Sequence, residues 1–131
     1  MTHTPEPPAW AVFHVWMQAT RPAPKYKYFI CMHLQGGSAL GLLINSQVNE
    51  LGQGQYLHPC FAPLSAAAHA FLNHNSWADC TTLFTVPVAD LTDGRGHLTP
   101  EAAQAVQAAV QACPKLKPKT KALLCAVPLP G

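Results

Sequence analysis

Between Lys25 and Ser46 two apolar runs, Tyr28-Phe29-Ile30-Cys31-Met32 and Leu40 with Leu42-Leu43-Ile44, flank the polar break Gln35-Gly36-Gly37-Ser38. Adjacent glycines supply the positive φ of a tight turn, so the pattern predicts a β-hairpin, Lys25 to Leu34 paired with Ala39 to Ser46. Both runs are apolar on both faces, which places these strands in the middle of a sheet. Upstream, Trp10-Ala11-Val12-Phe13-His14-Val15-Trp16-Met17 is aromatic and β-branched and predicts a strand with Trp10, Val12, His14 and Trp16 on one face. Thr81 to Val88 predicts another, with edge character at Pro87, which has no N–H to donate.

The helical signals lie later in the chain. Thr99 as N-cap, Pro100 at the first helical position and Glu101 in the first turn predict a helix that Pro114 ends. Within it Val106, Val110 and Cys113 form an apolar stripe opposite Gln104, Gln107 and Gln111. Ser65 before an alanine run predicts a short helix reaching Leu72. Asp93-Gly94-Arg95-Gly96 reads as a turn, Asn49 to Gln55 as a mobile loop, Tyr56 to Leu64 as an extended run interrupted by prolines, and Lys115 to Lys121 as a Pro-broken basic loop. Ala122 to Val127 is expected to return as a last strand. A flexible Pro-rich tail over 1–9, one domain over 10–127 and a short tail over 128–131 complete the organisation.

Composition narrows the class. The 131 residues suffice for one core, and 13 prolines with 8 glycines exclude a long helical bundle. With 49% hydrophobic and 11% charged residues the chain is not disordered through charge, and a net charge of +2 does not by itself imply nucleic-acid binding. Tyr28 to Asn49 carries no charged side chain, but its polar, glycine-containing centre fits a hairpin and not a membrane span. Five cysteines without paired spacing, and an N-terminus without a basic region leading into an apolar one, predict free thiols in the cytoplasm, none of them ligating metal.

Signatures of nucleotide-binding loops, hydrolase elbows and zinc sites are absent from the sequence. The densest polar stretch is Phe71-Leu72-Asn73-His74-Asn75-Ser76-Trp77-Ala78-Asp79-Cys80. His74 can exchange protons near neutral pH, with Ser76, Asp79 and Thr81 orienting it or a phosphate. The same residues equally suit a turn built by side-chain to backbone bonds, with Trp77 plugging the core. Lys25 and Lys27 share one face of a strand and alternate with Tyr26 and Tyr28, a combination of cations and rings used on single-stranded nucleic acid.

The order Val15-Trp16, Arg21-Pro22, Lys25 to Met32, then Leu42-Leu43-Ile44-Asn45-Ser46, followed by the Phe71 to Cys80 stretch, resembles the PemK/MazF-like toxins of bacterial toxin–antitoxin pairs. That resemblance implies an α+β, mainly β fold: a small SH3-like barrel with one or two appended helices. It also implies metal-independent cleavage of single-stranded RNA, no cofactor, a cognate antitoxin, a cytoplasmic location and a homodimer. Typical members carry Arg-Pro where this chain has Lys27-Tyr28, and a threonine where it has Ser46. The resemblance therefore points to Lys27, Ser46 and His74 as catalytic residues, and to Arg21, Lys25, Tyr28, Ser76 and Asp79 as substrate contacts. The opposing class is a non-catalytic barrel of the same scaffold that binds proteins by strand addition.

Overall fold

A computed structural model describes residues 7–18, 23–46 and 58–130. Arg21, the loop expected over Asn49 to Gln55 and most of the N-terminal tail lie outside the described residues. The fold is α+β and mainly β. Strands β1 (Ala11–Met17), β2 (Lys25–Gln35), β3 (Ser38–Asn45), β4 (Phe61–Leu64), β5 (Ser76–Pro87) and β6 (Gly94–His97) precede helices α1 (Pro100–Ala112) and α2 (Pro118–Cys125). One six-stranded sheet has the order β4-β5-β3-β2-β1-β6, every pairing antiparallel.

The β2–β3 hairpin is the predicted one. Gly36 and Gly37 adopt φ of 57° and 82°, and Gln35 pairs with Ser38 across the turn. Alternation along the strands sorts side chains to two sides. Val12, Ile30, Met32, Leu42, Ile44 and Ala78 pack with α1 through Ala103, Val106 and Val110. Val15, Met17, Phe29, Cys31 and Leu43 form a second cluster on the opposite side. The α1 helix starts as its sequence dictates: the Thr99 hydroxyl accepts from the Ala102 N–H at 3.1 Å, and Pro100 needs no acceptor.

Trp10 closes the structure. Its backbone holds φ of 73°, unfavourable for a bulky residue, while its N–H donates to the Cys31 carbonyl at 2.7 Å and its carbonyl accepts from Leu98 at 3.0 Å. The buried indole donates from Nε1 to the Pro128 carbonyl at 2.7 Å.

Several expectations are corrected. The strand expected at Ala122 to Val127 is helix α2: Pro118 presets the first turn, and Leu124 is buried against the core that α1 covers. The basic segment from Lys115 is accordingly a loop only as far as the start of that helix. Gly94–His97, expected as part of a turn, is strand β6, because β1 offers it an unpaired edge. Thr81 to Val88 is the far portion of a longer strand, β5, that begins at Ser76.

Ser65 to Leu72 forms turns instead of a helix. The reason is His69, buried at 3% exposure: its Nδ1–H donates to the Ser65 carbonyl at 2.8 Å, the acceptor that the residue-69 backbone would use in a helix. Its Nε2 accepts from the Thr99 N–H at 3.2 Å, which fixes the neutral tautomer and ties these turns to the start of α1. His69→Ala strips both partners in a buried setting and should cost about 1–3 kcal/mol in urea unfolding. An unchanged midpoint would show that neither bond matters.

The cysteines are not all free. Cys60 and Cys113, both fully buried, form a disulfide that joins the turn before β4 to the end of α1 across 53 residues. Spacing rules detect local pairs, and this one is made by the fold. Cys31, Cys80 and Cys125 are free. Burial pushes the Cys31 thiol up to about 11 and, with the Asp79 charge nearby, the Cys80 thiol up to about 12, so neither forms a thiolate at neutral pH.

Candidate functional site

Antiparallel register carries Lys27, Asn45 and Asp79 to one end of the sheet. Tyr28 pairs with Ile44 and Leu43 with Asp79, so β2, β3 and β5 place these three side chains on the Phe29 and Leu43 face. Lys27 Nζ donates to Asn45 Oδ1, and Asn45 Nδ2 donates to Asp79 Oδ2 at 3.0 Å. The other Asp79 oxygen accepts from the Thr81 N–H at 2.9 Å and from the Thr81 hydroxyl at 2.5 Å. Both Asp79 oxygens are thereby fixed in orientation, and the amide of Asn45 can point only one way.

The Lys27 amine is more acidic than an ordinary lysine. Partial burial is the main cause, with Lys25 adding repulsion and the Asp79 charge opposing both. An ammonium has three donors and Asn45 engages one, so Lys27 can hold an incoming anion against the fixed network behind it. Lys25, exposed and two residues earlier, faces the same side.

Ser46 follows Asn45 and is exposed. Since Asn45 pairs with Trp77, Ser46 and the turn carrying exposed His74 reach the same end of the sheet as Lys27. Ser76 is not brought to this face. It is buried on the side of Ala78 and Cys80, and its hydroxyl donates to the His74 carbonyl at 3.0 Å. With Asn75 accepting from the Ala66 N–H at 3.0 Å, Ser76 builds the turn that presents His74. Trp77 is half-buried and lies outside both core clusters.

Tyr28 also faces away from Lys27, and its hydroxyl donates to the Phe71 carbonyl at 3.2 Å. The alternation of lysines and tyrosines on β2 therefore separates cations from rings. Tyr26 and Tyr28 join β1 instead: His14 stacks on Tyr26 at 4.9 Å between ring centroids and meets Tyr28 at 5.2 Å, while Trp16 sets its edge to Tyr26 at 5.1 Å. Beside His14, Arg95 of β6 grips both oxygens of Asp93 at 2.8 Å. That hydrogen-bonded partner holds the Asp93 carboxyl below its usual range.

Asn45 was missed by sequence reasoning, whereas Thr81 does join the site, through Asp79. The signal for Asn45 is a polar residue closing an apolar strand beside Ser46. For the His14, Trp16 and Arg95 group no local signal exists, because β6 joins it only through the sheet.

No family model and no curated protein matches the sequence. Among solved structures, the fold is similar to that of a Mycobacterium tuberculosis toxin, MazF-mt6, at TM-score 0.59 and 19% identity, over 82% of this chain and 98% of that one. It is also similar to an endoribonuclease from a mycobacterial species, at TM-score 0.60 and 10% identity over 85% and 93% of the chains. A third likeness is to a mycobacterial endoribonuclease in complex with its cognate antitoxin, at TM-score 0.62 and 11% identity over 85% and 97%. The chain thus has the fold of the MazF-type toxins along nearly the whole length of those proteins.

Proposed function

We propose that the chain is the toxin of a type II toxin–antitoxin pair, an endoribonuclease that cleaves single-stranded RNA without a metal ion. The observation that carries this reading is the Lys27-Asn45-Asp79 network: a cation fixed from behind, at the end of the sheet shared with a hydroxyl and a histidine, in a fold whose solved examples include endoribonucleases. In the reaction the RNA 2′-OH attacks the adjacent phosphorus and the 5′-oxygen leaves, giving a 2′,3′-cyclic phosphate and a 5′-hydroxyl. One proton must leave the 2′-OH and one must reach the 5′-oxygen. His74 supplies an acid or base for these transfers, Lys27 balances the charge gathering on the phosphoryl oxygens, and Ser46 donates a hydrogen bond to the same group. Asn45 and Asp79 act as positioning residues through Lys27. Lys25 adds positive charge beside Lys27 on the same face, so binding weakens as salt rises. A likeness to an endoribonuclease solved with its cognate antitoxin supports an antitoxin partner here. On this reading the protein works in the cytoplasm, where its substrate is; separately, among the described residues no helix is long and apolar enough to cross a membrane.

The test is incubation of purified protein with single-stranded RNA in EDTA, reading the product ends. Lys27→Ala and His74→Ala should each lower the rate about 10²-fold or more, and Ser46→Ala less. Because Lys27 acts as a cation and its folded pKa is lowered, the rate should fall on the alkaline side below the usual lysine range. That limb should disappear in Lys27→Arg. Equal trace cleavage by all variants would sink the enzyme and favour the non-catalytic, protein-binding barrel.

A further inference from the structure

The proposed cleavage chemistry leaves unused the face of β1 and β2 turned away from Lys27. Trp16 and Tyr26 are 48% and 59% exposed there, two large rings standing in water. They are also held in place, since His14 stacks on Tyr26 with an interplanar angle of 19° and Trp16 meets Tyr26 edge-on. The rings floor one side of a groove of about 590 Å³ whose rim carries Asp90, Thr92 and Asp93. Of these, Asp90 and Asp93 carry carboxylate acceptors, and the Asp93 oxygens also bind Arg95. The Asp90 carboxylate repels phosphate and acidic peptide segments, but it and the remaining lone pairs of Asp93 can accept hydrogen bonds from the amino groups of nucleobases. Cytosine, adenine and guanine each present such an amino group, whereas uracil has none and offers only its N3–H between two carbonyls. Pre-positioned rings favour a flat ligand with a π-face, which is how unpaired bases are held on sheet surfaces.

We propose that this groove binds one unpaired, amino-bearing nucleobase of single-stranded RNA, stacked on Trp16 and Tyr26 with its amino edge toward the Asp90 and Asp93 rim. The proposal rests on the RNA reading above and adds a specificity element to it. Tyr26 alternates with Lys25 and Lys27 on β2, so a strand crossing the end of β2 meets lysines on one side and rings on the other.

Binding of 2′-O-methyl hexamers of cytidine, adenosine and uridine tests this, because they lack the attacking hydroxyl and binding is read without cleavage. Wild type should bind the cytidine and adenosine hexamers about fivefold or more tighter than the uridine hexamer. Trp16→Ala and Tyr26→Ala should each weaken the tighter two about tenfold, with Trp16→Phe restoring most of the loss and thermal unfolding unchanged. The Asp90→Asn/Asp93→Asn double variant should erase the preference over uridine. Equal binding of all three hexamers by wild type, or wild-type affinity in both alanine variants, would overturn the proposal. So would sedimentation showing a dimer that Trp16→Ala abolishes while hexamer binding stays intact, since the face would then belong to a second copy. Wild type that binds with these preferences but never cuts RNA supports the base site and removes the cleavage reading. Cutting that persists in Trp16→Ala with unchanged affinity removes the base site alone.

Discussion

Gly41→Ala should leave the chain largely unfolded. A Cβ at this position would lie 2.0 Å from the Ile30 carbonyl oxygen and 2.6 Å from Cζ of the fully buried Phe29. No flexible side-chain tip can yield here: the carbonyl belongs to a central ladder and the ring is enclosed by the second core cluster. Pairing with β2 shifts register beside Gly41, and pairing with β5 shifts immediately after it. The bare glycine therefore marks where the sheet bends and two irregular ladders meet. Overpacking of this kind costs about 3 kcal/mol or more once backbone must move, a large share of what holds a small domain together. Gly37→Ala provides the comparison, because φ is 82° but nothing lies within 4 Å of its Cβ, and about 1 kcal/mol is expected. Urea unfolding of both variants checks the contrast. A Gly41→Ala midpoint equal to that of Gly37→Ala would show that the bend relaxes freely.

Reduction of the Cys60–Cys113 bond should cost a comparable amount. Opening a cross-link that spans 53 residues restores about 4 kcal/mol of chain entropy to the unfolded state. The bond holds the segment before β4 to the far end of α1, on the side of the sheet that α1 covers. Urea unfolding with and without reductant should show the midpoint fall. The Cys60→Ala/Cys113→Ala variant should sit at the lower value and ignore reductant. Complete reduction by mass spectrometry with no change in midpoint would refute it. A reducing compartment favours the open form, so thiol trapping in cells reports which state the chain adopts there.

The parts legible in the sequence are those whose cause is local. Gly36-Gly37 between apolar runs specifies the hairpin, and Thr99-Pro100-Glu101 specifies the start of α1, because turn φ and capping are settled within a few residues. The illegible parts are settled by topology. Gly94 to His97 has the glycines of a turn and becomes a strand only because β1 leaves an edge open beside it. The Ser65 run has a capping serine, yet a histidine ring takes the carbonyl that its helix would need. At the candidate site Lys27 stood out by its alternation with tyrosines and Asp79 by the polar stretch around it, but Asn45, which connects them, gains its meaning from register. The alternation of lysines and tyrosines was visible. That it divides them between two faces follows from pleating alone, while the company the tyrosines keep, His14 and Trp16, depends on which strand pairs with β2.

The Trp10 closure has a consequence for synthesis on the ribosome. The indole nitrogen finds its acceptor at Pro128, 118 residues further along the chain. Contacts so distant in sequence form late, after the loop between them has been closed. While β1 to β3 emerge, the strained backbone at Trp10 lacks its bond to Leu98, its indole lacks a partner, and the apolar face awaiting α1 stays uncovered. The sheet can therefore pair fully once Gly94–His97 is available, but the Trp10 indole stays unpartnered until the Pro128 segment has left the ribosome.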